Sequence, residues 1–359
     1  MILVTGGTGL LGSHLLAKLV REHKEVVALK RPSSDLTEVR RVFGYYAAQE
    51  DNPSIGGASD GAGEGAGDAD ELFCRVRWVD ADLLNPVDME EALRGVEQVY
   101  HCAGMVSFQP RDRRKMIRFN TDSTACMVNA CLSTGVQKLV HVSSTSAVGR
   151  STDRSPANES LIWSYGKTNT GYSESKFRSE MEVWRGMEEG LNAVIVNPSI
   201  ILGAGFWERG SSSMFSRVAG GLRHATPGIT GYVGVQDVVS AMISLMDSDI
   251  SGERYIISEG NYSYKQVFEM IGAALGIWKD LKTVSPSLLR KLVRLDAFAS
   301  LFRGSRQITS EHVRAAFGEA HFSSEKIKEA IGMEFTPLDQ VIPEVAGHYQ
   351  KDQMAHSSG

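Results

Sequence analysis

Several absences narrow the field first. The 359 residues hold only four cysteines, Cys74, Cys102, Cys126 and Cys131, with no CxxC pair. They are expected as reduced, mostly buried thiols rather than a disulfide frame. The nine histidines are scattered without ligand spacing, so no metal site is expected. Basic residues are not in excess: 38 Lys plus Arg face 43 Asp plus Glu, for a net charge of −5. That balance speaks against nucleic acid as a partner. No apolar run is long enough to span a bilayer, and Met1-Ile2-Leu3-Val4 leads straight into a glycine loop with no room for a signal sequence. A cytoplasmic enzyme acting on a small molecule is the expectation. With 42% apolar and 23% charged residues, the chain suits one large α/β unit or a core with a smaller lobe.

Short β-branched runs alternate with amphipathic stretches as far as Ile201. Candidate strands are Ile2–Thr5, Glu25–Leu29, Val76–Asp80, Gln98–His101, Lys138–Ser143 and Ala193–Val196. Helical patterns fall at Gly12–Glu22, Asp88–Leu93, Thr121–Ser133 and Glu174–Glu189. Such repetition buries both faces of a parallel sheet. One segment departs from it. Gly44 to Cys74 is glycine-rich and carries seven acids with no Lys or Arg. Without it the net charge would move to about +2, so the acidity is local. Glycine is costly to order and little apolar surface offsets it, which predicts a flexible surface insertion over 44–74. Beyond Ile201 a Gly/Ser-rich excursion (Gly203–Gly231) precedes a strand and helix in Tyr232–Met246 and a strand at Arg254–Ser258. The rest reads as mostly helical, broken at Pro286, Pro337 and Pro343.

Thr5-Gly6-Gly7-Thr8-Gly9-Leu10-Leu11-Gly12 joins the first strand to the first helix. Gly7, Gly9 and Gly12 fit GxGxxG, and Gly6, Gly9 and Gly12 fit a GxxGxxG variant. Glycine lets backbone approach a pyrophosphate, and the helix N-terminus beyond supplies N–H groups and partial positive charge. This predicts a Rossmann-type doubly wound parallel sheet, with a smaller, mostly helical C-terminal substrate lobe. Residues 1–202 plus 232–260 would form the dinucleotide domain and 203–231 plus 261–350 the lobe, with 351–359 as a tail. After the second strand no acid appears until Asp35, where a ribose-binding acid would be expected. Arg31, helped by Lys30, suits a 2′-phosphate better than a bare diol, so NADP is favoured and NAD is the alternative.

Two further motifs carry chemistry. Val142-Ser143-Ser144-Thr145 ends an apolar strand, where open α/β sheets place ligands. Tyr172 and Lys176 stand four apart, on one helix face. A neighbouring ammonium would lower the phenol toward working pH, and a serine hydroxyl would hold the substrate oxygen.

In this order the motifs resemble the extended short-chain dehydrogenase/reductase family, also called the NAD-dependent epimerase/dehydratase family. They are TGGTGLLG (Thr5–Gly12), VDADL (Val79–Leu83), YHCAG (Tyr100–Gly104), VSSTSAVG (Val142–Gly149), YSESK (Tyr172–Lys176) and NPSIILGAG (Asn197–Gly205). The resemblance implies Ser144, Tyr172 and Lys176 as a triad, with Thr145 as rival to Ser144. Asn120 matches a buried asparagine near the active site, and Lys176 would also grip the nicotinamide ribose. Gly6, Thr8, Gly9, Leu10, Leu11 and Gly12 would hold the pyrophosphate. Asp82 and Leu83 would contact adenine, while His101, Ala103 and Gly104 line the cofactor. Pro198 and Ser199 would face the carboxamide.

The residues after the serine motif lack the Asp-Glu pair of 4,6-dehydratases, which makes dehydration unexpected. The similarity is to dihydroflavonol-reductase-like and 3β-hydroxysteroid-dehydrogenase-like members, implying NADPH-dependent reduction of a ketone or aldehyde. A sugar-nucleotide epimerase is the alternative, and a non-catalytic NADP(H) sensor or assembly subunit a third reading. The family also admits a homodimer through two long helices. Arg209 could meet an anionic substrate group or an acid. The apolar stripe within 288–303 would suit the core, a substrate roof or weak membrane-surface contact.

Overall fold

The computed structural model describes residues 1–48, 65–149, 151, 155–166, 169–277, 281–284 and 317–357. Seven parallel strands form the central sheet: β1 (Ile2–Thr5), β2 (Val26–Lys30), β3 (Val76–Asp80), β4 (Gln98–His101), β5 (Lys138–Val142), β6 (Ala193–Pro198) and β10 (Glu253–Ile257). Their order is β10-β6-β5-β4-β1-β2-β3. The chain therefore winds one way from β1 through β3 and then returns to the other side of β1 as β4. The crevice beyond the carboxyl ends of β1 and β4 lies at this reversal, where open α/β sheets bind ligands.

Alternation along the strands separates two cores. Ile2, Val4, Val194 and Val196 face one layer, whereas Leu3, Ala193 and Ile195 face the other. The first layer takes α1 (Leu10–Arg21), α2 (Thr37–Ala47) and α8 (Val235–Asp247); the second takes α4 (Pro86–Ala92), α5 (Arg113–Thr134) and α6 (Gly171–Glu188). Each strand residue thus loses water on its own face, worth about 1.5–3 kcal/mol for a fully buried aliphatic side chain. Local signals set the helix ends. The Asn85 side chain accepts from Val87 N before Pro86 starts α4, and the Thr170 hydroxyl accepts from Ser173 N at the head of α6.

The acidic segment differs from its expectation at both margins. Residues 44–47 complete α2, and α3 runs Gly65–Cys74. Leu72 and Phe73 are buried, Phe73 packs edge-on to Phe43 at 5.5 Å, and the Arg40 guanidinium lies over its ring at 4.0 Å. Two apolar side chains after the acids dock this helix, with Ala69 against the core and Asp70 paired to Arg40 at 2.5 Å. Residues 49–64 lie outside the described set.

Three short strands stand apart from the main sheet in the order β11 (Gly260–Ser263), β9 (Ile229–Gly234), β7 (Ile200–Leu202). A two-residue pair joins β8 (His224–Ala225) to β12 (Lys282–Thr283), with α7 (Ser213–Ala219) and α9 (Tyr264–Ala274) beside them. After α10 (Glu325–Ile331) the chain ends in α11 (Leu338–Ser357). Pro343 sits inside α11 instead of breaking it, forgoing one backbone donor. The expected tail from 351 is likewise helical to Ser357, and Asp352 accepts from the Tyr45 hydroxyl and from Trp207 Nε1. The stripe within 288–303, and Pro286, lie outside the described residues. All four thiols are free, but only Cys131 is fully buried, Cys102 and Cys126 are partly so, and Cys74 is exposed. Among the described residues no helix is long and apolar enough to cross a membrane.

Candidate active site

The glycine loop is shaped by places where a side chain cannot go. Gly6 has φ +71°, and a Cβ there would lie 2.6 Å from Ala103 N. A Cβ on Gly12 would lie 2.3 Å from the Gly6 carbonyl oxygen. Gly9 N donates to that same oxygen at 3.0 Å, closing the turn. At Gly7 the obstacle is only the tip of Leu16, so Gly6 and Gly12 carry the backbone constraint. The N-terminus of α1 has no side-chain cap and no acid in its first turn. Such an end offers N–H groups and partial positive charge to an anion, which fits a dinucleotide pyrophosphate. Leu11 is buried in the core, so it could serve a ligand only through backbone. Thr8 and Leu10 are partly exposed at the loop.

Where an adenosine would lie, the cations divide. Lys30 Nζ is held by Asp80 at 2.5 Å. Arg31 is exposed, its backbone N–H donates to Ser34 Oγ, and its guanidinium has no partner among the described residues. Asp82 spends one carboxylate oxygen on its own turn, accepting from Leu84 N at 3.0 Å, while Leu83 packs partly on the second core.

His101 does not line the groove. It is fully buried beneath it, with Nδ1 2.8 Å from Thr5 Oγ1 and Nε2 3.2 Å from Thr124 Oγ1. Burial lowers its pKa to about 3, so the ring is neutral. His141 stacks on it at 5.3 Å, and neither of its ring nitrogens has a hydrogen-bond partner among the described residues. Ala103 N donates to Thr5 Oγ1, and Gly104 is exposed at the groove.

At the other end, Ser144 and Tyr172 are hydrogen-bonded, and Lys176 follows Tyr172 one turn along α6. Ser144 closes β5 and opens a short 3₁₀ turn, Thr145–Ala147. Thr145 is buried, whereas Ser144 is partly open and reaches Tyr172, which distinguishes the two hydroxyls. Lys176, itself buried, donates from Nζ to the Val142 carbonyl at 3.0 Å. A Cβ on Gly104 would sit 3.2 Å from that nitrogen, so the glycine keeps the groove open beside the ammonium. Burial lowers the Lys176 pKa to about 8 against the raising effects of Cys102 and Glu180. For Tyr172 the expected lowering by Lys176 gives way to another balance. Burial raises the phenol, and hydrogen bonding with Ser144 pulls it back.

Asn120 is buried and works as a strut. Its Nδ2 donates to the Met105 carbonyl (2.9 Å) and to Ser175 Oγ (3.0 Å), and its Oδ1 accepts from Met105 N (2.7 Å). Pro198 and Ser199 are buried, and Ser199 turns toward β10, donating from its backbone to the Ile257 carbonyl.

Sequence reasoning missed the group beneath this end. Glu180, one turn after Lys176 and buried, accepts from Ser143 Oγ (2.7 Å), Asn197 Nδ2 (2.8 Å) and Arg254 Nη1 (2.8 Å). Asn197 Nδ2 also donates to the Ser144 carbonyl at 3.0 Å. An acid in register with Lys176 on a buried face was the available signal, since a buried carboxylate needs partners. Nearby, Arg113, which opens α5, pairs with Glu174.

A seven-stranded parallel sheet with a backbone-built anion cradle at its reversal defines a Rossmann-type dinucleotide-binding protein. Residues 2–258 match the model of the NAD dependent epimerase/dehydratase family. The chain belongs to that family and is an NAD(P)-dependent oxidoreductase of the extended short-chain dehydrogenase/reductase type. It is 28% identical over 297 residues to sterol demethylase protein B of Methylococcus capsulatus, covering 82% of this chain and 80% of that one. It is also 28% identical over 285 residues to tetraketide alpha-pyrone reductase 2 of Arabidopsis thaliana, covering 75% and 81%. The fold superposes on a UDP-glucose 4-epimerase from Thermotoga maritima with a TM-score of 0.74 at 19% identity, covering 98% and 99%.

Proposed function

We propose that this chain is an NADPH-dependent reductase of a ketone or aldehyde on a small organic substrate. The observation that carries the reading is the hydrogen-bonded pair Ser144 and Tyr172, one helical turn from a buried Lys176 whose Nζ lies beside the exposed Gly104. Gly6, Gly9 and Gly12 would hold the pyrophosphate and Arg31 the 2′-phosphate. When bound, the reduced nicotinamide supplies a hydride. The chain supplies the rest.

Tyr172 gives its phenolic proton to the carbonyl oxygen, and Ser144 holds that oxygen through its hydroxyl. Tyr172 stays protonated at neutral pH because burial raises it, which suits a proton donor. The Lys176 ammonium stabilises the phenolate left behind, and Asn120 and Glu180 fix the loops that carry these groups. Aromatic side chains stand beside Tyr172: Phe108 lies 6.1 Å from its ring, Trp163 Nε1 donates to Ser173 Oγ, and the exposed Tyr165 packs edge-on to Trp163 at 4.8 Å. Those residues favour an apolar or aromatic carbonyl compound over a sugar nucleotide.

The test follows NADPH consumption against aromatic and alicyclic ketones and aldehydes. Tyr172→Phe should reduce turnover at least about 100-fold with NADPH affinity unchanged. Tightly retained NAD with no net NADPH consumption would instead support an epimerase.

A further inference from the structure

The sequence left Arg209 open between an anionic group and an acid, and the fold brings it to the glycine loop. The segment after β7 crosses over α1 to the head of α2. There Phe206 N donates to Glu38 Oε2 at 2.9 Å, and the Phe206 ring is buried. Phe206 adopts φ +58°, a conformation costing a non-glycine residue on the order of 1 kcal/mol, so the turn is held by its surroundings. Arg209 N closes that turn on the Phe206 carbonyl at 3.0 Å. The side chain then folds back over the Phe206 ring, 4.8 Å from its centre, and Nη2 approaches the Thr8 carbonyl at 3.5 Å. Thr8 belongs to the glycine loop.

Arg209 is exposed, and this long bond is its side chain's hydrogen bond among the described residues. Asp35 lies near enough to feel the charge, although the Thr37 side chain and backbone do more to hold its carboxyl low. A guanidinium parked at 3.5 Å from a neutral carbonyl has a far better acceptor in a phosphate oxygen.

We propose that Arg209 is a phosphate-binding residue of the cofactor site, closing over the dinucleotide pyrophosphate from the segment that follows β7. The proposal rests on the reading that this chain binds a nicotinamide dinucleotide. It splits the labour between two arginines: Arg31 meets the 2′-phosphate, and Arg209 meets the pyrophosphate common to every form of the cofactor. It also ties the 203–212 segment to cofactor occupancy, because the same turn carries both Phe206 and Arg209.

The test uses the full chain stripped of nucleotide and titrated by fluorescence with NADPH and NADH, and by calorimetry with ADP-ribose, which has the pyrophosphate but no nicotinamide. Arg209→Met keeps an apolar stem on Phe206 and removes the charge. It should weaken all three ligands by about tenfold, and equally, with Arg209→Lys recovering part of the loss. Arg31→Met should weaken NADPH alone. Affinity of the wild type should fall with added salt more steeply than that of Arg209→Met, a difference a purely structural staple would not produce.

ADP-ribose affinity within twofold of wild type in Arg209→Met would overturn the assignment. So would a loss confined to NADPH, which would place Arg209 on the ribose phosphate. A wild-type chain that binds none of the three would sink the dinucleotide reading itself, and this inference with it.

Discussion

At the glycine-loop end of the groove the chain builds with backbone; at the Ser144 end it builds with buried side chains. The first works because atoms are missing. Gly6 and Gly12 leave no room for a Cβ, and the α1 terminus carries neither cap nor acid. The second works because atoms are present and satisfied: Lys176 on Val142, and Glu180 on Ser143, Asn197 and Arg254. One end should therefore fail on addition and the other on subtraction.

The largest effect is expected at the first end. Gly12→Ala drives a methyl to 2.3 Å from the Gly6 oxygen, a backbone atom that cannot swing away. It should cost roughly 3 kcal/mol of stability or more and weaken nucleotide binding at least about 100-fold. Gly44→Ala is the control, because its added Cβ meets nothing within 4 Å inside α2. That change should stabilise by about 0.5–1 kcal/mol. Thermal unfolding and a cofactor titration read both. Equal behaviour of the two variants would break the contrast at once.

Subtraction comes next. Glu180→Gln keeps the shape but leaves Arg254, only 14% exposed, without its counter-charge. A loss of about 3 kcal/mol is expected, because an unpaired buried charge costs more than the pair was worth. Glu180→Gln/Arg254→Met should regain much of it, since the two sites interact directly. Turnover should stay low in both, with NADPH affinity unchanged. If the double variant is no more stable than the single one, the pair is not the coupling.

This division also explains what was legible. Backbone constraints appear in the sequence as glycines at fixed spacing, so the loop could be read from Thr5 to Gly12. Strands buried on both faces appear as apolar runs, which fixed β1 and β4 to the residue. Networks that join distant segments mark at most one partner locally, as the register of Glu180 with Lys176 does, and never the other. Glu180 and Arg254 are 74 residues apart, and only the packing of β10 against β6 brings them together. The neighbours of Arg209 were not legible for the same reason, because its position depends on how the crossing segment docks on Glu38. The helix over 65–74 was missed because composition was weighed over the whole segment, whereas Leu72 and Phe73 bury themselves in the core and Asp70 pairs with Arg40.

Acid should probe the layer beneath the groove. His14 is buried, with Nε2 2.9 Å from the Ala204 carbonyl and Nδ1 3.1 Å from the Tyr46 hydroxyl, and its pKa is lowered to about 4. The unfolded chain takes a proton near pH 6.5 and the native chain does not, so stability falls as pH drops from about 6.5 toward 4. His101, lowered to about 3, adds a loss of the same sign. Each should contribute up to roughly 2 kcal/mol by pH 4.5. Unfolding midpoints across that range test it, and His14→Gln should flatten part of the slope. A wild-type midpoint independent of pH there would mean these rings are not kept neutral.

The smallest effect sharpens the contrast most, because it joins pH to a single side chain. Lys176 is lowered to about 8 by burial, and Glu180 opposes that shift. The charged form, which supports the Tyr172 phenolate, is therefore populated below pH 8 and lost above it. Reduction should fall on the alkaline side, about tenfold by one pH unit beyond the midpoint. The raised phenol of Tyr172 adds no second limb in that range. In Glu180→Gln the limb should move to lower pH, because the carboxylate that favours the ammonium is gone. Gly44→Ala, in α2 with nothing within 4 Å of the added methyl, should leave it in place. An alkaline limb unmoved by Glu180→Gln would mean that the network steadies the serine loop without touching the charge on Lys176.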